Sequence, residues 1–206
     1  MAARRRAAAP APAATPWGAR WLRRLLLWLV PVTLLWLLVT PIYNRVLART
    51  AERLLRLGEW PAVTRLYVKE THHLLITRAD HGGGQAYLHS FRLTDCHFSL
   101  ILVGALFLAV PAEPGRRRLA ALGWALAATV AFPLLLVFCM VKFVYATQLG
   151  AWSLAHYGPW GRNFWGLAKH LLDLPLKFAL PFLLWAGFYL KHVLPERLGG
   201  EGKNAG

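Results

Sequence analysis

The chain has 206 residues, of which 57% are hydrophobic and 16% charged, and a formal net charge of +15 at pH 7. The apolar residues fall in long runs, which excludes an ordinary soluble domain and places the chain among membrane proteins. The charge excludes less than it suggests. Arg4–Arg6, Arg20, Arg23, Arg24 and Arg116–Arg118 sit beside apolar runs, where anionic headgroups satisfy them as well as nucleic-acid phosphates would. Nucleic acid is therefore not an expected partner; membrane lipids are.

Residues 1–20 read as a disordered, basic tail rich in Ala, Pro and Arg. A first membrane helix is expected over residues 21–43. Its apolar stretch is longer than a signal-peptide core, and "LVTPIYN" lacks a small-x-small cleavage site. An uncleaved anchor is the reading.

Residues 44–95 then form an outer α+β insertion. In "NRVLARTAERLLRLGEWP", Arg45, Arg49, Arg53 and Arg56 lie on one helical stripe, with Val46, Leu47, Ala51, Leu54 and Leu55 on the other side. Gly58 and Pro61 end this amphipathic helix. It lies on the outer membrane surface or docks a partner; both readings stay open. Three strands follow, built on Val63–Val68, Leu74–Thr77 and Tyr87–Phe91, with "ETHH" and "ADHGGGQ" as the breaks. In the third, Tyr87, His89 and Phe91 share one face, and Leu88, Ser90 and Arg92 the other. Three such strands are too few to stand alone. The antiparallel meander must lean on the helix, the membrane or another protein. Tyr67, Tyr87, His89, Phe91, Arg49 and Arg53 are the partner-contact candidates.

Further spans are expected over residues 96–112, 119–145 and 171–191, with a basic loop at 113–118, an aromatic outer loop at 146–170 and a tail at 192–206. The second is short, since about 20 apolar residues are needed to cross. Four spans keep every arginine cluster inside. The fold class is thus an α-helical membrane protein of four transmembrane helices with a small periplasmic α+β insertion. Both termini are expected in the cytoplasm. The aromatic loop, with Trp152, Tyr157, Trp160, Phe164 and Trp165, suits the headgroup level and folds as a helix pair around Gly158-Pro159.

Residue types suited to chemistry concentrate in "RADHGGGQAYLHSFRLTDCHF", residues 78–98. Its three glycines precede a strand, whereas a phosphate-cradling loop precedes a helix; they mark a turn. His72, His73, His81, His89 and His97 show no metal-ligand spacing, so no metal or cofactor is expected. Cys96, beside His97 and near His89 and Arg92, could be a nucleophile. Exosortases use Cys, Arg and His at this face of a membrane, and Cys96, Arg162 and His170 occur in that order. "TDCHFSL" lacks the small-residue run of an exosortase cysteine, so catalysis is the alternative reading. A Cys96–Cys139 bridge is a further one. Asp173 and Lys177 are spaced for an ion pair at the membrane edge. A transporter subunit is the last alternative, and the inner halves of the spans offer it almost no polar path.

The arrangement of an anchor, "TPIYNRVLARTAERLLRLGEWPAVTRL", a short outer β-segment and three more spans resembles the exosortase H-associated membrane proteins of Gram-negative bacteria. The resemblance covers most of residues 25–190. It implies a non-enzymatic accessory role beside an inner-membrane exosortase that processes and sorts exported proteins, and it carries over no catalytic residue.

Overall fold

The structure is a computed structural model describing residues 17–80, 87–110 and 115–193. It is mostly helical, with one three-stranded antiparallel sheet. Its first element, α1, is a single helix from Trp17 to Leu57, 41 residues long. At about 1.5 Å per residue it is about 60 Å long, roughly twice the hydrocarbon thickness of a bilayer. Pro31 and Pro41 lie inside it, a tolerance common in membrane helices, where neighbouring groups satisfy the freed carbonyls.

The outer third of α1 carries the sheet. Leu47, Ala48, Ala51 and Leu55 recur on one face and are buried. They meet Leu66, Leu74 and Ile76 of the sheet and Val137, Val141, Val144 and Tyr145 of α3 (Gly115–Thr147) in one core. The strands β1 (Thr64–Lys69), β2 (His73–Arg78) and β3 (Tyr87–Arg92) are ordered β1-β2-β3. The expectation that so small a sheet must lean on something is met by α1 and α3. Acids of α1 and the turn after it also close the β1 edge. Thr64 N–H donates to Glu59 Oε2 at 3.0 Å, and Leu66 N–H to Glu52 Oε2 at 2.9 Å. Arg56 Nε donates to the Thr64 carbonyl at 2.8 Å. β3 is the other edge.

Alternation along β3 holds only in part. Phe91 and His89 stand opposite Leu74 and Ile76, but a register shift at Ile76/Thr77 brings Tyr87 opposite Thr77. The run of alternate faces expected from Tyr87 to Arg92 is therefore interrupted at Leu88 by a bulge. The glycine turn and His81 lie outside the described residues.

The β1–β2 turn is strained. Glu70 and Thr71 have φ of 51° and 62°, a region that β-branched residues rarely adopt. Asn44, fully buried on α1, holds the turn by donating Nδ2–H to the Thr71 carbonyl at 2.6 Å. Replacing Glu70-Thr71 with Asn-Gly, the pair that two positive φ values favour, should stabilise the protein by about 1 kcal/mol. Denaturant midpoints of the two forms in one detergent check this; an unchanged or lower midpoint counts against strain at this turn.

The strands lead through a 3-10 turn, Leu93–Cys96, into α2 (Phe98–Ala109). This helix is apolar all round and mostly buried, as such helices must be. Its 12 residues make about 18 Å. Among the described residues, the helices long and apolar enough to cross a membrane are Ala19–Leu57, Leu119–Thr147 and Pro159–Tyr189, and α2 is a shorter apolar helix beside them. At the start of α2, His97 meets Trp36 and Tyr43 of α1, all ring pairs at 5.1–5.4 Å. At its end, Val110 joins Phe107, Trp21, Leu25, Ala125 and Tyr189. So α2 runs antiparallel to α1 from the level of Tyr43 to the level of Leu25.

Beyond α3, α4 (Ala151–His156) and α5 (Pro159–Leu171) are separated at Tyr157–Gly158. From Pro159 the chain stays helical through a π turn, Leu172–Leu176, into α6 (Lys177–Val193). Pro175 lies in that turn; lacking an N–H, it cannot make an ordinary α-helical bond. α5 packs along the outer half of α3, with Phe138 against Trp165 and Phe143 against His170. α6 runs beside α2, with Phe98 against Phe178 and Phe107 against Tyr189.

Candidate functional site

The outer end of the molecule is joined by one buried cation. Arg78, at the end of β2, is 7% exposed. Its Nε and a terminal nitrogen donate to the two carboxylate oxygens of Asp80 at 2.9 and 2.7 Å. Its guanidinium lies 4.6 Å from the ring centre of Tyr145 and 4.2 Å from that of Trp152. Burial works against this charge, but the bonds to Asp80 and its negative charge outweigh that, so the Arg78 pKa lies above its ordinary value. Tyr145 in turn shares a hydroxyl hydrogen bond with Thr64, which also bonds Glu59. Trp152 stacks on His156 at 4.1 Å. Sheet, α3 and α4 are thereby tied together around a cavity of about 210 Å³ lined by Glu59, Trp60, Val63, Arg78, Asp80 and Trp152. Sequence reasoning missed this cluster. Its signals were an Arg-x-Asp at a strand end and an aromatic pair of turns ("WSLAHY") with no span to belong to. Tyr157, packed at the edge of the same core, has its hydroxyl pKa pushed up by burial.

The exposed side of α1 is a second surface. Arg45, Arg49 and Arg53 form one ridge, and Val46, Leu54 and Leu57 the next. Among the described residues, none of these three arginines makes an ion pair or a side-chain hydrogen bond. The outer face of the sheet is a third surface. It carries Arg65, Tyr67 and Lys69 on β1, His73 and Leu75 on β2, and Ser90 and Arg92 on β3. A hydrogen bond with Tyr67 raises the Arg65 pKa.

Of the partner-contact candidates, Arg49, Arg53, Tyr67 and His89 are exposed. Phe91 is turned inward against the core. Tyr87 is placed in β3, and its side chain lies outside the description.

The residues considered for catalysis sit on different elements. Cys96 ends the turn before α2, and its side chain lies outside the description. Arg162 and His170 are on α5. Arg162 lines an open cleft of about 530 Å³ with Phe143, Thr147, Pro159, Asn163 and Leu167, while His170 meets Phe143 edge-on. No described contact joins either to the start of α2. Cys139 is a buried free thiol. Among the described residues no three His, Cys, Asp or Glu side chains are placed to hold a metal ion.

Asp173, in the π turn, lies between two lysines: Lys177 Nζ donates to it at 3.1 Å, and Lys169 Nζ is at 3.4 Å. Lys177 is 9% exposed. Such a buried lysine is held by its carboxylate partner, which makes the triad a clamp across the π turn.

No curated protein and no solved structure is matched by the chain. Residues 18–191, which take in every element from α1 to the body of α6, match the model of the exosortase H-associated membrane proteins, and the chain belongs to that family.

Proposed function

We propose that the protein is a non-enzymatic accessory of an exosortase in the bacterial inner membrane, and that it acts by contact. The family name supplies the exosortase. The observation that supports contact is the outer module itself: a sheet fixed on the projecting end of α1, with an unpaired arginine ridge on the helix and a free β3 edge. Unpaired cations beside apolar side chains favour an acidic partner, and a free edge accepts an added strand.

In this reading the hydrocarbon layer lies between Arg24 and Arg45 of α1. By their packing it extends from the level of Val110 and Tyr189 to that of His97, Leu136 and Lys177. The sheet, the ends of α1 and α3, α4 and α5 are then periplasmic, and the termini cytoplasmic. The antiparallel run of α2 beside α1 supports a fourth crossing by this short helix, which a locally thinned bilayer accommodates. The module comprises Tyr67, His89, Arg49 and Arg53 as contact residues, with Tyr87 on the β3 edge. The Asp173–Lys177 pair stands at the outer boundary of the bilayer.

The test is co-purification of the exosortase from native membranes. Arg49→Glu with Arg53→Glu should cut recovery at least ~10-fold at matched abundance, equal to about 1.4 kcal/mol. Cys96→Ala should leave cargo processing near wild type. Undiminished recovery with the arginine variant removes the ridge from the reading. A ~100-fold loss of processing with Cys96→Ala, the scale of losing a nucleophile, returns the peptidase.

A further inference from the structure

One row of the sheet works against its own stability. Lys69 stands directly opposite His73, and His73 directly opposite Arg92. All three lie on the face away from the core, since their strand neighbours Leu74 and Val68 turn inward. Lys69 and Arg92 are exposed and His73 is half-buried. The rung therefore holds two cations, Lys69 and Arg92, on either side of an imidazole. Adjacent strands are about 4.8 Å apart, so the two outer members of the row are within about one Debye length, about 8–10 Å. Among the described side chains the acid beside the row is Glu70, 3.8 Å from Lys69 Nζ, with both side chains largely exposed. An exposed pair of that length offsets little.

The row also has a definite height. It flanks the β1–β2 turn, whose Thr71 carbonyl is held by Asn44. Asn44 follows Tyr43, which meets His97 at the start of α2. The opposite end of the same strands, Thr64 and Arg78, meets Tyr145 near the far end of α3. The strands therefore stand on the level of Tyr43, and the basic row is their lowest rung.

We propose that Lys69, His73 and Arg92 form a binding site for the phosphate of an anionic phospholipid in the outer leaflet. With the bilayer edge at Tyr43, as placed above, the row lies in the headgroup layer, which is several ångströms deep. A phosphate there accepts hydrogen bonds from an ammonium, an imidazole and a planar guanidinium. It makes two mutually repelling cations and the imidazole between them partners of one anion. Arg65, on the same face but at the far end of β1, stands above the headgroups and takes no part.

The experiment uses the full chain in nanodiscs of phosphatidylcholine, with or without phosphatidylglycerol, and reads the thermal midpoint. Phosphatidylglycerol should raise the wild-type midpoint by on the order of 5 °C. The Lys69→Gln, Arg92→Gln variant should lose that rise, yet match or exceed wild type in phosphatidylcholine, because its repulsion is gone. Arg65→Gln should keep the rise. Inorganic phosphate added to phosphatidylcholine nanodiscs should not reproduce it. The site is overturned if the double variant retains the rise, if it is destabilised in phosphatidylcholine, if free phosphate replaces the lipid, or if phosphatidylglycerol has no effect on wild type. Equal losses from Arg65→Gln and the double variant would instead overturn the bilayer placement.

Discussion

Replacing Arg78 with leucine is expected to lower stability by about 3 kcal/mol, with the sheet separating from α3 before the rest unfolds. The guanidinium faces two rings and makes two bonds to one carboxylate, and its side chain is 8% exposed. Leucine fills part of the volume but removes both hydrogen bonds to Asp80. The loss is moderated because Asp80 is 41% exposed and water takes over part of its hydration. Arg78→Lys should recover less than half, since an ammonium cannot form the planar fork or lie flat on a ring. Asp80→Asn should cost less than Arg78→Leu, because the rings still hold the cation. Hydrogen exchange of the β1 and β2 amides, read beside denaturant midpoints, measures both effects. A change in Arg78→Leu of under about 0.5 kcal/mol would mean that the outer core alone fixes the sheet.

Gly104→Leu is expected to cost about 3 kcal/mol and to loosen α1 from α2. A Cβ built on Gly104 would lie 3.0 Å from Val32 Cγ1 and 3.7 Å from Cγ2. The two helices thus approach closely at this point, as small residues allow in membranes. Alanine here gains helix propensity while pressing on Val32, so Gly104→Ala should change stability by about 1 kcal/mol or less. Val32→Ala makes room, and the pair Gly104→Ala, Val32→Ala should be more stable than the sum of the single changes. Disruption of α1 would also separate Trp36 and Tyr43 from His97. Unfolding in mixed detergent, followed by protease access to α2, gives the ranking. If Gly104→Leu unfolds at the wild-type midpoint, the helices separate freely here and the contact holds nothing.

Much of the outer architecture was legible in the sequence because its punctuation is strong. β-branched and aromatic runs broken by "ETHH" and "ADHGGGQ" mark strands by local chemistry, and those strands pair in chain order. The amphipathic stretch reads as continuing from the anchor, and α1 runs unbroken from Trp17 to Leu57, since Pro41 does not end a helix whose far side has a core to meet. The second span illustrates a limit. Hydropathy marks the apolar run but not where the helix stops, and α2 closes at Ala109. The Arg78 cluster was hidden because its members are far apart in sequence; an arginine at a strand end looks solvated until Tyr145 and Trp152 close over it. Of the stripe read at Arg45, Arg49, Arg53 and Arg56, the first three hold the exposed face, while Arg56 turns to Glu52 and the Thr64 carbonyl, and Val46 and Leu54, read onto the opposite side, are exposed beside the ridge.

The length of α1 has a mechanical consequence. In the proposed placement, α1 crosses the bilayer and continues to the seat of the sheet, which makes it a lever whose fulcrum is the membrane. Helices tilt when the hydrocarbon layer thins or thickens. With about 20 Å of α1 projecting from Asn44 to Leu57, each ~10° of tilt swings the far end by roughly 3–4 Å. The β1 edge is pinned to that arm by Glu52, Arg56 and Glu59, so the strands move with it rather than slipping. Local bilayer thickness thereby sets the reach of the free β3 edge.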